Sequence, residues 1–536
     1  MTNCLRRVAE ADEAIEAWAY LDPELAMMQA ESADLHRQKG NATGPLHGVP
    51  VAIKDIFDTA DMPTEFGSPV WAGRTPRRDA ACVARLRAAG AVIMGKTVTT
   101  EYAYFQPGKT KNPHDPARTP GGSSSGSAAA VAAAMVPGAV GSQTNGSVIR
   151  PASFCGVVGF KPTHGLIPRS GALELSRALD QIGVFARTVE DAALLAEVMV
   201  GFDEEDPDTR PRGRPPYAAT ARSAPPLPPR FAFVRSQVWE QAEPVTREAF
   251  GELVDALGEH ATAVDLGGSF AGAVDLHRVA METEMAHNLR RDYDKGGDQL
   301  SAVLRALIER GRTHRAVDYM AALAGIQTLN GALDYVFDEY DAILTPSAPG
   351  EAPAIDTTGN PIFCTTWTYL GTPAVSLPLL SSERGCRSGC SSSAGGETMR
   401  ASCAPPAGWS TISKNRAERP VRPVSRTART WKDRDHGHND HHRHHRHCAA
   451  VRLRRIHADL GQGTAADHHR RDHRSDGGLR FRADGTRRRK RRLTPACRPA
   501  VTPAAVRRDS AGRSRACGSR RDPRPPCCSG LRSCRC

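Results

Sequence analysis

Two glycine- and serine-rich stretches and one upstream lysine carry the residue types from which acyl-transfer chemistry can be built. Residues 119–127 read TPGGSSSGS and lead into a run of small residues, AAAVAAAM. Ser147 follows Ser123 by 24 positions, inside GSQTNGSVIRPASFCGVVGFKPT (141–163). Lys54 closes the apolar run of GPLHGVPVAIKD (44–55). A serine hydroxyl attacks a carbonyl poorly until a neighbouring base takes its proton. Lysine serves as that base only when desolvation lowers its pKa towards neutrality, and the apolar residues before Lys54 fit such a burial. A Gly/Ser-rich turn also lets consecutive backbone N–H groups approach a ligand closely, where they can stabilise an oxyanion. The competing readings are a flexible linker or phosphate-cradling loop for the serines, and an exposed strand-end lysine paired with Asp55. The phosphate-loop pattern GxxxxGK[ST] is absent, and linkers are not followed by apolar segments such as these.

These three blocks, in this order and with the two serines so spaced, resemble the amidase signature family over about residues 10–385. The resemblance implies an α/β fold with a mixed β-sheet core covered by helices. It implies hydrolysis of a carboxamide to a carboxylate and ammonia or an amine, on a small-molecule substrate and with no metal or cofactor. Ser147 would be the nucleophile that carries the acyl group, Lys54 the base, and Ser123, held on a cis peptide bond, the bridge between them. The backbone N–H groups of Thr144, Asn145, Gly146 and Ser147 would form the oxyanion hole. Asn145-Gly146 stands where the family usually has Gly-Gly. Asparagine tolerates left-handed dihedrals better than most residues, though its side chain would narrow the pocket. Arg150, three residues beyond Ser147, either caps nearby carbonyls or clamps a substrate carboxylate bidentately. Ser124, Ser125 and Ser127 are read as hydrogen-bonding support, and His47, His114 and His164 are given no part in the mechanism. A second reading within the family is the A subunit of a tRNA-dependent (glutamyl/aspartyl-tRNA) amidotransferase, which would take ammonia from glutamine and need partner subunits.

The elements that must position these residues follow from hydrophobic period. Helical spacing appears in 5–18, 77–89, 189–201, 244–259, 275–293 and 300–327, and short apolar strands at 49–53, 91–94, 156–160, 231–234 and 342–344. Alternation of this kind predicts a parallel or mixed sheet covered by helices. The Pro-rich stretch 204–230 reads as a surface loop. No apolar run reaches the roughly 18 residues of a membrane span, and the N-terminus has no apolar signal core. A cytoplasmic enzyme, with a homodimer as one possible assembly, is the expectation.

Composition splits the chain between Gly385 and Cys386. The overall charge of +12 comprises 36 of the 71 basic and 12 of the 59 acidic residues after the break, +24, and therefore −12 before it. Ten of the 14 cysteines and 11 of the 19 histidines also lie after the break. Only 13 of those 151 residues are Leu, Ile, Val or Phe, below the roughly 20% a charged chain needs for a core, so 386–536 is expected to be disordered. The segments HGHNDHHRHHRH (436–447) and RRRKRR (487–492) would suit metal or nucleic acid only in a tail selected as protein. Read one base out of register from codon 385, with a consistent choice of synonymous codons, the tail begins LPLGLQLVGRRRDDARVLRTARWLV, a hydrophobic strand and an amphipathic helix. The sequence thus predicts a single-base frameshift, with residues 1–385 lacking a final strand and helix, and no nucleic acid as partner. A truncated, inactive product is the further alternative. A nucleotide sequence that failed to encode that strand and helix in the shifted register would remove the idea.

Overall fold

The structure, a computed structural model, describes residues 1–381 and 387–391. The tail expected to be disordered is described only at 387–391, where it forms a strand instead; the rest of it, its histidine and arginine runs and the absent final helix lie outside the described residues.

Eleven strands form one mixed sheet among the described residues. They are β1 (Trp18–Leu21), β2 (Pro50–Lys54), β3 (Val92–Thr97), β4 (Gly138–Gln143), β5 (Val158–Lys161), β6 (Gln181–Ala186), β7 (Phe231–Val234), β8 (Ala261–Val264), β9 (Ala342–Pro346), β10 (Ala374–Ser381) and β11 (Arg387–Ser391). Their order is β1-β3-β2-β4-β6-β5-β10-β11-β9-β7-β8. β2 runs parallel to both β3 and β4, and β7 parallel to β8 and β9, while the remaining pairs are antiparallel. In β2, Val51 to Lys54 are all buried, as a strand covered on both faces requires. Because β2 and β4 are parallel neighbours with Ile53 opposite Val140, their carboxyl ends emerge side by side. That register brings Lys54, the last residue of β2, next to Ser142 near the end of β4.

Four helices matter for the site: α1 (Ser125–Ala132), α2 (Ile149–Cys155), α3 (Ala273–Asn288) and α4 (Ile362–Tyr369). α1 is buried from Ser125 to Val131, which only a helix of small residues allows this close to a sheet. A Cβ on Gly126 would sit 2.2 Å from the Ala17 carbonyl oxygen and 2.5 Å from the Val98 nitrogen. No described helix is long and apolar enough to cross a membrane.

Several elements differ from the expectation. The predicted helix 300–327 is two, Ala302–Gly311 and Ala316–Phe337, interrupted at the polar RTHR segment after Gly311. The chain runs close to α3 at that point, since a Cβ on Gly311 would lie 2.0 Å from the Glu282 carbonyl oxygen. The predicted helix 275–293 likewise divides into α3 and Arg290–Gly296. The Pro-rich loop contains a short helix, Tyr217–Arg222. Helix Pro23–Gln38 escapes the periodicity because Ala26 is its one buried residue, although Asp22 caps it and proline opens it. β11 lies beyond the compositional break, between β10 and β9, where the sequence predicts a missing strand. A strand pairs through its backbone, which any residue except proline supplies, so RSGCS can fill the place of a more apolar segment.

Candidate active site

Lys54 is completely buried at the end of β2. Its Nζ donates to Ser123 Oγ at 2.7 Å and to Ser142 Oγ at 2.9 Å. Burial drives its pKa well below that of an ordinary lysine, and the Asp180 carboxylate pulls weakly the other way. The exposed lysine–Asp55 pair does not form. Asp55 instead accepts from the buried Lys96 at 3.1 Å, and Lys96 also donates to Thr64 Oγ1 at 2.6 Å.

Ser123 precedes α1, and the Gly122–Ser123 peptide bond is cis. The serines that follow tie the turn to the sheet. Ser125 Oγ donates to the Val98 carbonyl at 3.3 Å, and Ser127 Oγ to the Val140 carbonyl at 2.9 Å. Ser124 Oγ both accepts from the Ser142 N–H and donates to the Ser142 carbonyl, each at 3.3 Å. Their supporting role is as the sequence suggests.

The turn Thr144–Ser147 joins β4 to α2 and is held by its neighbours on several sides. Gln143 Oε1 accepts from the N–H groups of Val148 at 2.8 Å and Ile149 at 2.9 Å. That acceptor completes the start of α2, and among the described residues none takes the N–H of Asn145, Gly146 or Ser147. Three amides are therefore available to an oxygen placed at the turn. His277 of α3 donates through Nε2 to the Thr144 carbonyl at 2.9 Å, and burial pushes its pKa down to about 4. Thr365 Oγ1 of α4 donates to Asn145 Oδ1 at 2.7 Å, and Thr368 Oγ1 to the Asn145 carbonyl. Asn145 is not among the residues with positive φ, so its tolerance of left-handed dihedrals is not called upon.

Gly146 has no room for a side chain, since a Cβ there would lie 2.8 Å from Pro361 Cβ and 3.3 Å from Cys364 Cβ. Gly146→Ala is expected to cost about 1–3 kcal/mol through overpacking. By displacing the amides it should also lower kcat by about 10²–10³. Denaturant midpoints and steady-state rates check the two effects separately.

Ser147 is nearly buried and lines a small cavity of about 20 Å³. Among the described residues its hydroxyl makes no hydrogen bond, so the structure joins Lys54 to Ser123 and leaves Ser147 to one side. Hydrogen bonds of this kind commonly tighten only around a bound substrate. Arg150 is turned into the protein: Nη1 donates to the Gly359 carbonyl at 2.6 Å and Nη2 to the Gly122 carbonyl at 2.7 Å. Its guanidinium also lies 5.6 Å from the centre of the Phe105 ring. Burial lowers its pKa to about 10, which leaves it charged at neutral pH. Of the two roles the sequence leaves open, carbonyl capping is the one the side chain makes.

A larger cavity, about 170 Å³, lies on the other side of Thr144 and Leu175, which line both. It is lined by Ser142 and Asp180 but not by Ser123 or Ser147, so the smaller cavity is the one that Ser147 lines. Asp180 has no mark in the sequence, being 36 positions from Thr144 and in no motif. Thr144 Oγ1 donates to it at 2.5 Å, and the N–H groups of Leu175 and Ser176 at 2.8 and 3.0 Å. Burial raises its pKa to about 6 against the pull of those donors. Ser142 and Gln143 lie inside a motif block, but nothing local marks them, because their roles depend on which strand stands beside β4.

The mixed sheet, the small-residue helix behind a Gly/Ser turn and the buried lysine at the sheet's carboxyl edge place the chain among α/β proteins of amidase-signature architecture. Residues 1–391 match the family described as Amidase, and the chain belongs to that family. It is a hydrolase acting on amides. A putative amidase, AmiD, of Mycobacterium tuberculosis (strain ATCC 25618 / H37Rv) is 34% identical over 369 residues, covering 66% of this chain and 75% of that one. The A subunit of the glutamyl-tRNA(Gln) amidotransferase of Chloroflexus aurantiacus (strain ATCC 29366 / DSM 635 / J-10-fl) is 41% identical over 260 residues, 47% of this chain and 53% of that one. A solved structure described as that of an amidase superposes with a TM-score of 0.63 at 29% identity, covering 73% of this chain and 90% of that one.

Proposed function

We propose that the chain hydrolyses a carboxamide through an acyl-enzyme on Ser147, with Lys54 as base and Ser123 as the proton bridge. The observation that carries this reading is the wholly buried Lys54, its pKa driven well down by desolvation and its Nζ 2.7 Å from Ser123 Oγ. In its neutral form the amine has a lone pair for the Ser123 proton while Ser123 takes the proton of Ser147. Ser147 Oγ then bonds to the amide carbon, and the oxyanion is met by the amides of the Thr144–Ser147 turn. Collapse breaks the carbon–nitrogen bond, and the departing amine takes a proton back through Ser123. Water adds to the ester by the same route, the bond to Ser147 breaks, and the carboxylate leaves.

Hydroxylamine tests for the intermediate. With the full chain and a simple amide, added hydroxylamine should divert acyl groups to hydroxamate at the expense of carboxylate, while ammonia continues to be released. Ammonia release with no hydroxamate at any hydroxylamine concentration would sink the acyl-enzyme. Identity to an amidotransferase A subunit favours a second reading, in which amide hydrolysis requires partner subunits. Turnover by the chain alone decides for the independent amidase. The family match ends at 391, close to the compositional break, which supports reading the remainder as out of frame. Sequencing across codons 380–395 tests that reading. An inactive full chain whose activity returns on restoring the frame would identify the truncated product.

A further inference from the structure

The acyl carbon must bond to Ser147, so the group attached to it lies in the cavity that Ser147 lines. Apart from the oxyanion turn and Arg150, that cavity is walled by Ala103, Tyr104, Phe105, Leu175, Met281 and Met285. Leu175, Met281 and Met285 are buried, and Met281 and Met285 stand four apart on α3, on one face of the helix. The rings of Tyr104 and Phe105 meet edge to face, 4.8 Å between centroids. Among the described residues no carboxylate lines the cavity. The one cation among them, Arg150, has both terminal nitrogens on the carbonyls of Gly122 and Gly359 and only its Nε–H without a partner, so a bidentate grip on a substrate anion would draw on a terminal nitrogen that already donates.

We infer that the site takes amides of short, uncharged, apolar acyl groups, and that Met281 and Met285 set the upper limit of acyl size. This deepens the reading of Ser147 as the acylated residue and rests on it. The cavity beside Ser147 is small, about 20 Å³, so an acyl chain that outgrows it needs a methionine to move. A substrate carboxylate would enter a desolvated, largely apolar pocket whose lining arginine has its two terminal nitrogens on backbone carbonyls.

Isovaleramide and malonamate are the probes, because an isopropyl group and a carboxylate have nearly the same shape. With the full chain, kcat/KM for isovaleramide should exceed that for malonamate by at least about 100-fold, the scale on which an unpaired buried charge is rejected. Met285→Ala, and independently Met281→Ala should the first fold poorly, should raise the phenylacetamide-to-isovaleramide ratio of kcat/KM by about 10-fold. A preference for malonamate would overturn the inference and return Arg150 to the role of clamp, leaving the acyl-enzyme reading intact. An unchanged size ratio in both folded variants would place the acyl group elsewhere. If neither amide is turned over and hydroxylamine traps nothing from any amide, the functional reading itself falls, and this inference with it.

Discussion

Ser147→Ala is expected to lower kcat by about 10⁴–10⁶, the range seen when the nucleophile of a serine hydrolase is removed and only binding and the oxyanion donors remain. The variant should fold as well as the parent. Ser147 Oγ makes no hydrogen bond among the described residues, so its loss strands no buried partner. Unfolding midpoints within experimental error of the parent, together with lost hydroxamate formation, would assign the defect to chemistry. Equal rates for parent and variant would end the assignment of Ser147. Ser123→Ala should be less damaging than Ser147→Ala, because water can stand in for a bridging hydroxyl more readily than for the acylated atom.

Lys54→Met separates catalysis from stability. The rate should fall by about 10²–10⁴, the usual contribution of a general base. Stability should respond in the opposite sense as pH is lowered. The folded pKa of Lys54 lies well below its unfolded value, so below about pH 10.5 the unfolded chain binds a proton that the folded chain does not. The penalty on the folded parent grows as pH falls towards the folded pKa, by at most about 1.4 kcal/mol per pH unit for one group. Methionine carries no such penalty, although it leaves the hydroxyls of Ser123 and Ser142 without their amine. The stability of Lys54→Met relative to the parent should therefore rise as pH is lowered from about 10 to about 7, followed by denaturant unfolding. A flat difference would mean that Lys54 stays protonated in the fold.

The pH–rate profile offers a second reading of the same group. Activity needs the neutral amine, so kcat/KM should climb with pH through the lowered pKa of Lys54. Asp180 is the charge that favours the protonated amine, and its own carboxyl titrates at about 6. Asp180→Asn should move the acid limb to lower pH or abolish it. The hydrogen bond from Thr144 Oγ1 can persist to the asparagine oxygen. An acid limb at the parent's pH would show that neither Asp180 nor its effect on Lys54 shapes the profile.

Family, chemistry and the three motif blocks are legible because they are local: a Gly/Ser turn, a small-residue helix and an apolar strand ending in lysine each declare themselves within a dozen residues. So are the strands 231–234 and 342–344, short apolar runs between polar segments. β4 and β6 are not, although they form the middle of the site. β4 is a run of small residues with no alternation, and its place follows only from pairing with β2 and β6. The burial of Lys54 can be anticipated from the apolar residues before it. Its partners cannot, because Ser142 and Asp180 reach it through strand order.

Arg150 shows the same division. Its residue type and position allow a clamp or a cap, and the choice is made by the carbonyls of Gly122 and Gly359, the latter 209 positions away. The sequence by itself determined which groups could become nucleophile, base and oxyanion donors, since each role depends on a residue's own chemistry and immediate neighbours. Only the tertiary structure decided which of them meet, how dry the lysine is and what walls the acyl cavity. Those properties belong to surfaces assembled from α2, α3, α4 and the carboxyl edge of β2 and β4, segments that no local pattern connects.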